Sequence, residues 1–190
     1  TFTSSHIHDN TLHAILPLGR YRLALVANAP EESIVIPETG EVLESLFLCL
    51  PHEENTNQEA NDISTALQSV SITESKNTLP PIRLFRRTGV LQFSLHAIPK
   101  AISNLKLELS FVPSSVSFSG STTNTFGTIT KPVDHQGKAM IRTFPTKKGE
   151  ATLSITYDED NKSKRKIIPF SEAIDTNQII HVDCNFPELT

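Results

Sequence analysis

His6-Ile7-His8-Asp9, followed by His13, is the one segment whose residue types and spacing match metal-ligand chemistry. On an extended strand His6 and His8 point to the same side, and two imidazoles with a carboxylate suit zinc. The segment is terminal, polar and free of cysteine, so it is read as a solvated end and no metal residue is assigned. Paired carboxylates occur at Glu53-Glu54 and at Asp158-Glu159-Asp160. Both lie in strongly polar stretches, where loop solvation explains them better than acid–base work. Cys49 and Cys184 each sit in an apolar, strand-like run. A bridge between them would close a very long loop and contribute about 4–5 kcal/mol. Buried free thiols are the simpler reading, and the pairing is left open. His181 lies three residues before Cys184, which on a strand puts the two on opposite faces. Gly-x-Ser-x-Gly, His-Glu-x-x-His and phosphate-cradling glycine loops are all missing. Arg83, Arg86 and Arg87 make a small basic cluster, but on a chain of net charge −4 it is a poor nucleic-acid footprint. No catalytic, cofactor-binding or metal residue is assigned. The chain is read as a non-enzyme without a cofactor or a nucleic-acid partner.

The elements around these residues repeat with period two. Leu105, Leu107, Leu109 and Phe111 alternate with Lys106, Glu108 and Ser110, which predicts four apolar side chains on one packed face. Leu91, Phe93 and Leu95 repeat the pattern, as do Leu153, Ile155 and Tyr157, and Tyr21, Leu23 and Leu25. One wet face and one packed face is the habit of antiparallel sandwiches. Further strands are expected at 33–36, 45–50, 67–73, 116–118, 139–144, 165–168 and 178–184. Residues 114–130 read as a hairpin with a mobile tip. The acidic run 158–160 and the basic run 162–166 read as the solvated turn of another. Helix is expected only as one short segment within 55–67 and one turn at 171–175.

Composition agrees. The 190 residues contain 39 Ser plus Thr, 12 Pro, 7 Gly, 10 Phe and no Trp, a profile of short strands punctuated by turns. Hydrophobic residues at 37% and charged residues at 20% exclude a coiled coil and a long disordered chain. No apolar run approaches the length of a membrane helix. A polar loop at 52–62 and a stiff Leu79-Pro80-Pro81 break predict two domains, 1–79 and 80–190. The expected fold is all-β, two tandem antiparallel β-sandwiches of Greek-key type.

Leu16-Pro17-Leu18-Gly19-Arg20-Tyr21 is the most informative local pattern. Pro17 fixes one φ, Gly19 permits a positive one, and a tyrosine just after such a bend can hydrogen-bond back to the backbone, as in the tyrosine corner. Extended through Arg22-Leu23 to Asn28, this segment resembles the "L-P-x-G-x-Y-x-L…N" stretch of the Bacteroides-type fimbrillin-associated anchor family, the FimB-like lipoproteins. Ile82-Arg83-Leu84-Phe85-Arg86-Arg87-Thr88-Gly89-Val90-Leu91-Gln92-Phe93 resembles that family's "L-x-R-x-x-x-x-I-x-V" opening of the second domain. Phe144-Pro145-Thr146 and Asn177-Gln178-Ile179-Ile180-His181-Val182 look like its final strands. The likeness runs from about residue 12 to 186.

The resemblance implies two tandem transthyretin-like sandwiches, export as a lipoprotein, and a cell-surface, outer-membrane-associated role in pilus anchoring or assembly. Fimbrial subunits would be the protein partners, and a lipid anchor would lie outside this chain. The first part is shorter than the family's usual first domain, so a strand before Thr1 is expected to be missing. No spare C-terminal strand is evident, which favours an anchor or tip position over a polymerising stalk subunit; the alternative is that the last strand is itself the donor. The competing reading is a carbohydrate-binding or adhesive sandwich that uses the 114–130 loop.

Overall fold

In the computed structural model, the residues described are 3–9, 11–36, 38, 46–53, 56–74 and 78–188. Seventeen strands account for most of them: β1 (Ile7–His8), β2 (Thr11–Leu12), β3 (Gly19–Ala27), β4 (Ile34–Val35), β5 (Phe47–Cys49), β6 (His52–Glu53), β7 (Thr56–Asn57), β8 (Ser64–Ile72), β9 (Phe85–Arg86), β10 (Gly89–His96), β11 (Ser103–Pro113), β12 (Ser115–Ser117), β13 (Phe126–Pro132), β14 (Lys138–Thr143), β15 (Thr152–Glu159), β16 (Lys162–Ile168) and β17 (Ile179–Asn185). Single 3₁₀ turns occur at Ser4–His6, Glu31–Ser33 and Phe186–Glu188. The fold is all-β, and no α-helix occurs among the described residues.

The main core lies between a three-stranded sheet, ordered β14-β10-β17, and a six-stranded sheet, ordered β16-β15-β11-β13-β7-β6. Alternation sets its composition. Leu91, Phe93 and Leu95 of β10, with Ile141 and Ile180, belong to the same buried cluster as Leu107, Leu109, Ile129, Leu153, Ile155 and Tyr157. Most pairings are antiparallel, but β10 runs parallel to β17 and β13 parallel to β7.

Two further sheets involve the first part of the chain. In the order β3-β8-β9, nine residues of β3 pair continuously with β8, from Gly19↔Ile72 to Ala27↔Ser64. In the order β12-β5-β4, β5 pairs with β12 through Cys49↔Ser115, Leu48↔Val116 and Phe47↔Ser117. Leu46, Leu48, Leu50, Ala60 and Ile63 therefore bury in the same cluster as β10 and β11. Strand pairing crosses residue 79 in both directions, since β9 lies after it and bonds to β8.

Several expectations need correction. Residues 55–67 hold no helix among the described positions. They contain β7, an extended stretch and the start of β8, because Ala60 and Ile63 are drawn into the core while β8 satisfies its backbone against β3. Residues 171–175 form no helical turn; Ser171 and Ile174 instead accept backbone bonds from Gly149 and Thr146. Phe111 leaves the packed face on which alternation placed it. The β11–β13 register shifts between Ser110 and Val112, Phe111 takes φ +59, and Val112 fills the core at 0% exposure in its place. The hairpin expected in 114–130 exists only in part, with β13 beginning at Phe126 and continuing beyond it. The acid-then-base hairpin forms, turning at Asp160 and Asn161, both at positive φ, with Lys164 bonded to Glu159.

Candidate functional site

The groups that could do chemistry are dispersed or already engaged. His8 lies in β1, paired with Thr11 of β2, and His6 ends the 3₁₀ turn just before it; the His6 ring bonds to the Thr3 hydroxyl at 3.1 Å. Among the described residues no three His, Cys, Asp or Glu side chains converge to hold a metal ion. Cys49 and Cys184 are both free thiols. Burial pushes the Cys49 thiol above its ordinary value, partly offset by a hydrogen bond with Ser115. Cys184 is raised by burial first and then by Asp183 and Glu188. Higher thiol pKa values mean less thiolate, the opposite of an activated nucleophile.

A cavity of about 240 Å³ lies among Pro30, Ser33, Cys49, Leu50, Glu59 and Ile63. It is smaller than the roughly 300–1,000 Å³ of ordinary small-molecule sites. Glu32 and Glu59 both stand in its wall, and Glu59 is held by Lys131 at 2.5 Å and by the Arg142 amide at 2.8 Å. The Arg142 bond, with that from the Ala60 amide to the Arg142 carbonyl at 3.1 Å, ties Glu59 and Ala60 to β14.

The arginine cluster is structural as well. Arg86 pairs with Asp62 at 2.6 Å and donates to the Asn177 side chain at 2.8 Å. Arg83 lies over the Phe85 ring at 5.4 Å. Arg87 donates to the Thr65 hydroxyl at 2.6 Å and to the Phe118 carbonyl at 2.7 Å, and burial lowers its pKa. It stitches β8, the head of β10 and the loop after β12 together. Glycine is required at 120 for this: φ is +105, and a Cβ there would stand 2.7 Å from an Arg87 guanidinium nitrogen.

Tyr21 forms the expected corner, its hydroxyl donating to the Pro17 carbonyl at 2.8 Å. Gly19, at φ +159, is essentially extended, so the bend does not rest on a left-handed glycine there.

Surfaces remain. On β3, Tyr21, Leu23 and Leu25 are only half-buried, and Ile15 and Leu18 just before it are exposed. Only one side of β3 is paired, to β8; no other strand among the described residues borders it. The outer edge of β17 is likewise unpaired among the described residues, whereas β16, the edge of the larger sheet, is guarded by Lys162, Lys164, Arg165 and Lys166, a common device against unwanted strand addition. At the β11 bulge Phe111 is 57% exposed, with Phe126 of the paired strand at 39%. Beside them the outer face carries Ser110 bonded to Thr128 at 3.1 Å, and Glu108 at 3.6 Å from Arg165. Residue-by-residue reading missed the bulge, although the adjacent apolar pair Phe111-Val112 was a signal that one of the two must leave the core.

An all-β protein with sandwich packing, unpaired sheet edges and an aromatic bulge offers surfaces for other molecules rather than a pocket of converging groups. The comparisons with known proteins agree with that class. The profile of the fimbrillin-A associated anchor proteins Mfa1 and Mfa2 matches residues 1–187. The chain belongs to this family and is a fimbria-associated protein. Comparison with curated proteins finds no match. Among solved structures, a candidate adhesin of Bacteroides ovatus is similar, with a TM-score of 0.60 and 14% identity over 89% of this chain and 76% of that one. A protein of Bacteroides thetaiotaomicron described as a candidate polysaccharide-binding protein gives 0.60 and 15%, over 81% of this chain and 59% of its own. A candidate adhesin of the same species gives 0.59 and 13%, over 85% and 64%. The chain thus spans less than two thirds of the latter two. At these identities the likeness shows the fold. No helix among the described residues is long and apolar enough to cross a membrane.

Proposed function

We propose that this protein is a non-catalytic, surface-exposed component of fimbriae, an anchor or tip subunit that works through protein–protein contacts. The observation that carries the reading is β3, nine residues long, bordered among the described residues by β8 alone and set on a half-covered apolar face. Its mechanism is strand addition. An extended segment of a fimbrial subunit pairs with the open edge of β3; backbone bonds supply affinity and alternate side chains set the register. The half-buried Tyr21, Leu23 and Leu25 of β3 lie on the apolar face that such a segment would extend. The same reading includes two transthyretin-like units, 1–79 and 80–190, that exchange strands across the 79–81 break, and an outer-membrane lipid anchor outside the chain. Mixing the purified protein with fimbrillin subunits of its own fimbriae tests it. The expected result is a denaturant-resistant complex in which amides of 19–27 gain protection from hydrogen exchange. Absence of any complex, or protection confined to other strands, would reject it.

A second reading, glycan binding, has one observation in its favour: the exposed Phe111 beside a hydroxyl, carboxylate and guanidinium array. A relative of the same fold is described as a candidate polysaccharide-binding protein. A glycan array with a clear hit that Phe111→Ala removes would place this reading first.

A further inference from the structure

The outer edge of β17 has properties that β3 lacks. Its direction is fixed by the parallel pairing to β10, in which the Val90 amide donates to the Gln178 carbonyl at 2.9 Å. By the alternation of a strand, Ile180, Val182 and Cys184 then direct their backbone groups to β10. Ile179, His181, Asp183 and Asn185 direct theirs outward, where no strand lies among the described residues. The side chains divide by the same parity. Ile180 is buried, Val182 and Cys184 are half-buried at the rim of the core, and Ile179, His181, Asp183 and Asn185 are exposed on the outer face.

We propose that this edge binds a second copy of the chain, β17 against β17, antiparallel about a two-fold axis at Val182. Val182 is the midpoint of Ile179–Asn185, so this register alone overlaps the whole strand with its copy. It sets Ile179 opposite the partner's Asn185, Ile180 opposite the partner's Cys184, and His181 opposite the partner's Asp183. The outward-directed residues all fall in hydrogen-bonded pairs, giving about eight interchain bonds, while Val182 meets its copy in a non-hydrogen-bonded pair. The charge pattern selects this register. Centring the axis on His181 or Asp183 would put like residues face to face, whereas here each His181 imidazole meets an Asp183 carboxylate that also lies 3.4 Å from His96 of its own chain, twice by symmetry. On the inner face Val182 and Cys184, half-buried in a single copy, gain cover beside the already buried Ile180. The neighbouring β15–β16 hairpin does not oppose the approach, because its four cations in 162–166 stand against three carboxylates in 158–160. The two three-stranded sheets become one sheet of six strands.

The contact is independent of β3, so failure of either leaves the other standing. Light scattering during size-exclusion chromatography at high micromolar concentration is expected to give twice the mass of the chain. In a Cys49→Ser, Cys184→Ser background, Val182→Cys is expected to form a covalent dimer under mild oxidation. Directly opposed non-hydrogen-bonded residues sit about 4.5 Å apart at Cα, within disulfide reach. His181→Asp should raise the dimer Kd about tenfold or more, and the swapped pair His181→Asp, Asp183→His should restore it. Circular dichroism and melting of each variant separate misfolding from lost contact. A monomer at every concentration, or a dimer that neither cross-links at 182 nor responds to the swap, overturns the proposal.

Discussion

Replacing Phe111 separates the observed structure from simple alternation by the sign and size of its effect. Were Phe111 the fourth inward side chain of β11, truncating it would leave a cavity and cost about 3–5 kcal/mol. In the structure it is 57% exposed and held at φ +59, a conformation that costs an L-residue with a bulky side chain about 1–2 kcal/mol. Asparagine adopts that conformation far more readily. Phe111→Asn therefore relieves roughly 1 kcal/mol of backbone strain. It gives up the part-burial of the ring, less than half of the 1.5–3 kcal/mol of a fully buried phenylalanine, or about 1 kcal/mol. The two nearly cancel. Leu109→Ala, two residues earlier on the same strand and at 0% exposure, should cost about 2–5 kcal/mol. For a chain of this length each kcal/mol moves Tm by about 2–4 °C. Thermal and urea unfolding should thus place Phe111→Asn within about 3 °C of the parent and Leu109→Ala about 4–20 °C below it. Losses of similar size in the two variants would refute the bulge and return Phe111 to the core.

Other perturbations test separate parts of the structure. Leu107→Asp places an unpaired charge at a fully buried position and is expected to abolish folding of the main sandwich, while Lys106→Ala leaves the melt nearly unchanged. Gly120→Ala combines a left-handed φ with a clash against Arg87 and should destabilise by about 2–4 kcal/mol; a double-mutant cycle with Arg87→Met checks it, because in that background the clash disappears and only the backbone part of the cost survives. Tyr21→Phe deletes the hydrogen bond to Pro17 and should cost about 0.5–1.5 kcal/mol in urea unfolding. Asp134 accepts backbone bonds from Lys138 and Gln136, and these, with Lys138 first, hold its carboxyl below the ordinary range. A depressed folded-state pKa contributes stability that is complete above the unfolded value, about 3.9, and is lost as pH falls through the folded one. The destabilisation by Asp134→Ala should accordingly be present at pH 7 and vanish in strongly acidic buffer, as followed by unfolding at both pH values.

Local pattern was enough where one strand's own residues decide its two faces. Leu91, Phe93 and Leu95, and likewise Leu153, Ile155 and Tyr157, are buried as their alternation requires, because a pleated strand has no other way to bury every second side chain. The Tyr21 corner and the Asp160–Asn161 turn were legible for a related reason, since donor, acceptor and bend lie within a few residues of one another. Tertiary structure decided what depends on distant partners. Whether Phe111 or Val112 enters the core depends on the register against β13, fifteen or so residues away. Residues 56–57 and 64–67 became strand, with 58–63 extended between them, because β3 and the main core compete for this stretch more strongly than a weak local helical preference does. The edges of β3 and β17 that no other strand among the described residues borders, and with them the surfaces proposed for partners, are set by pairing between distant segments, and no single segment of the chain encodes that.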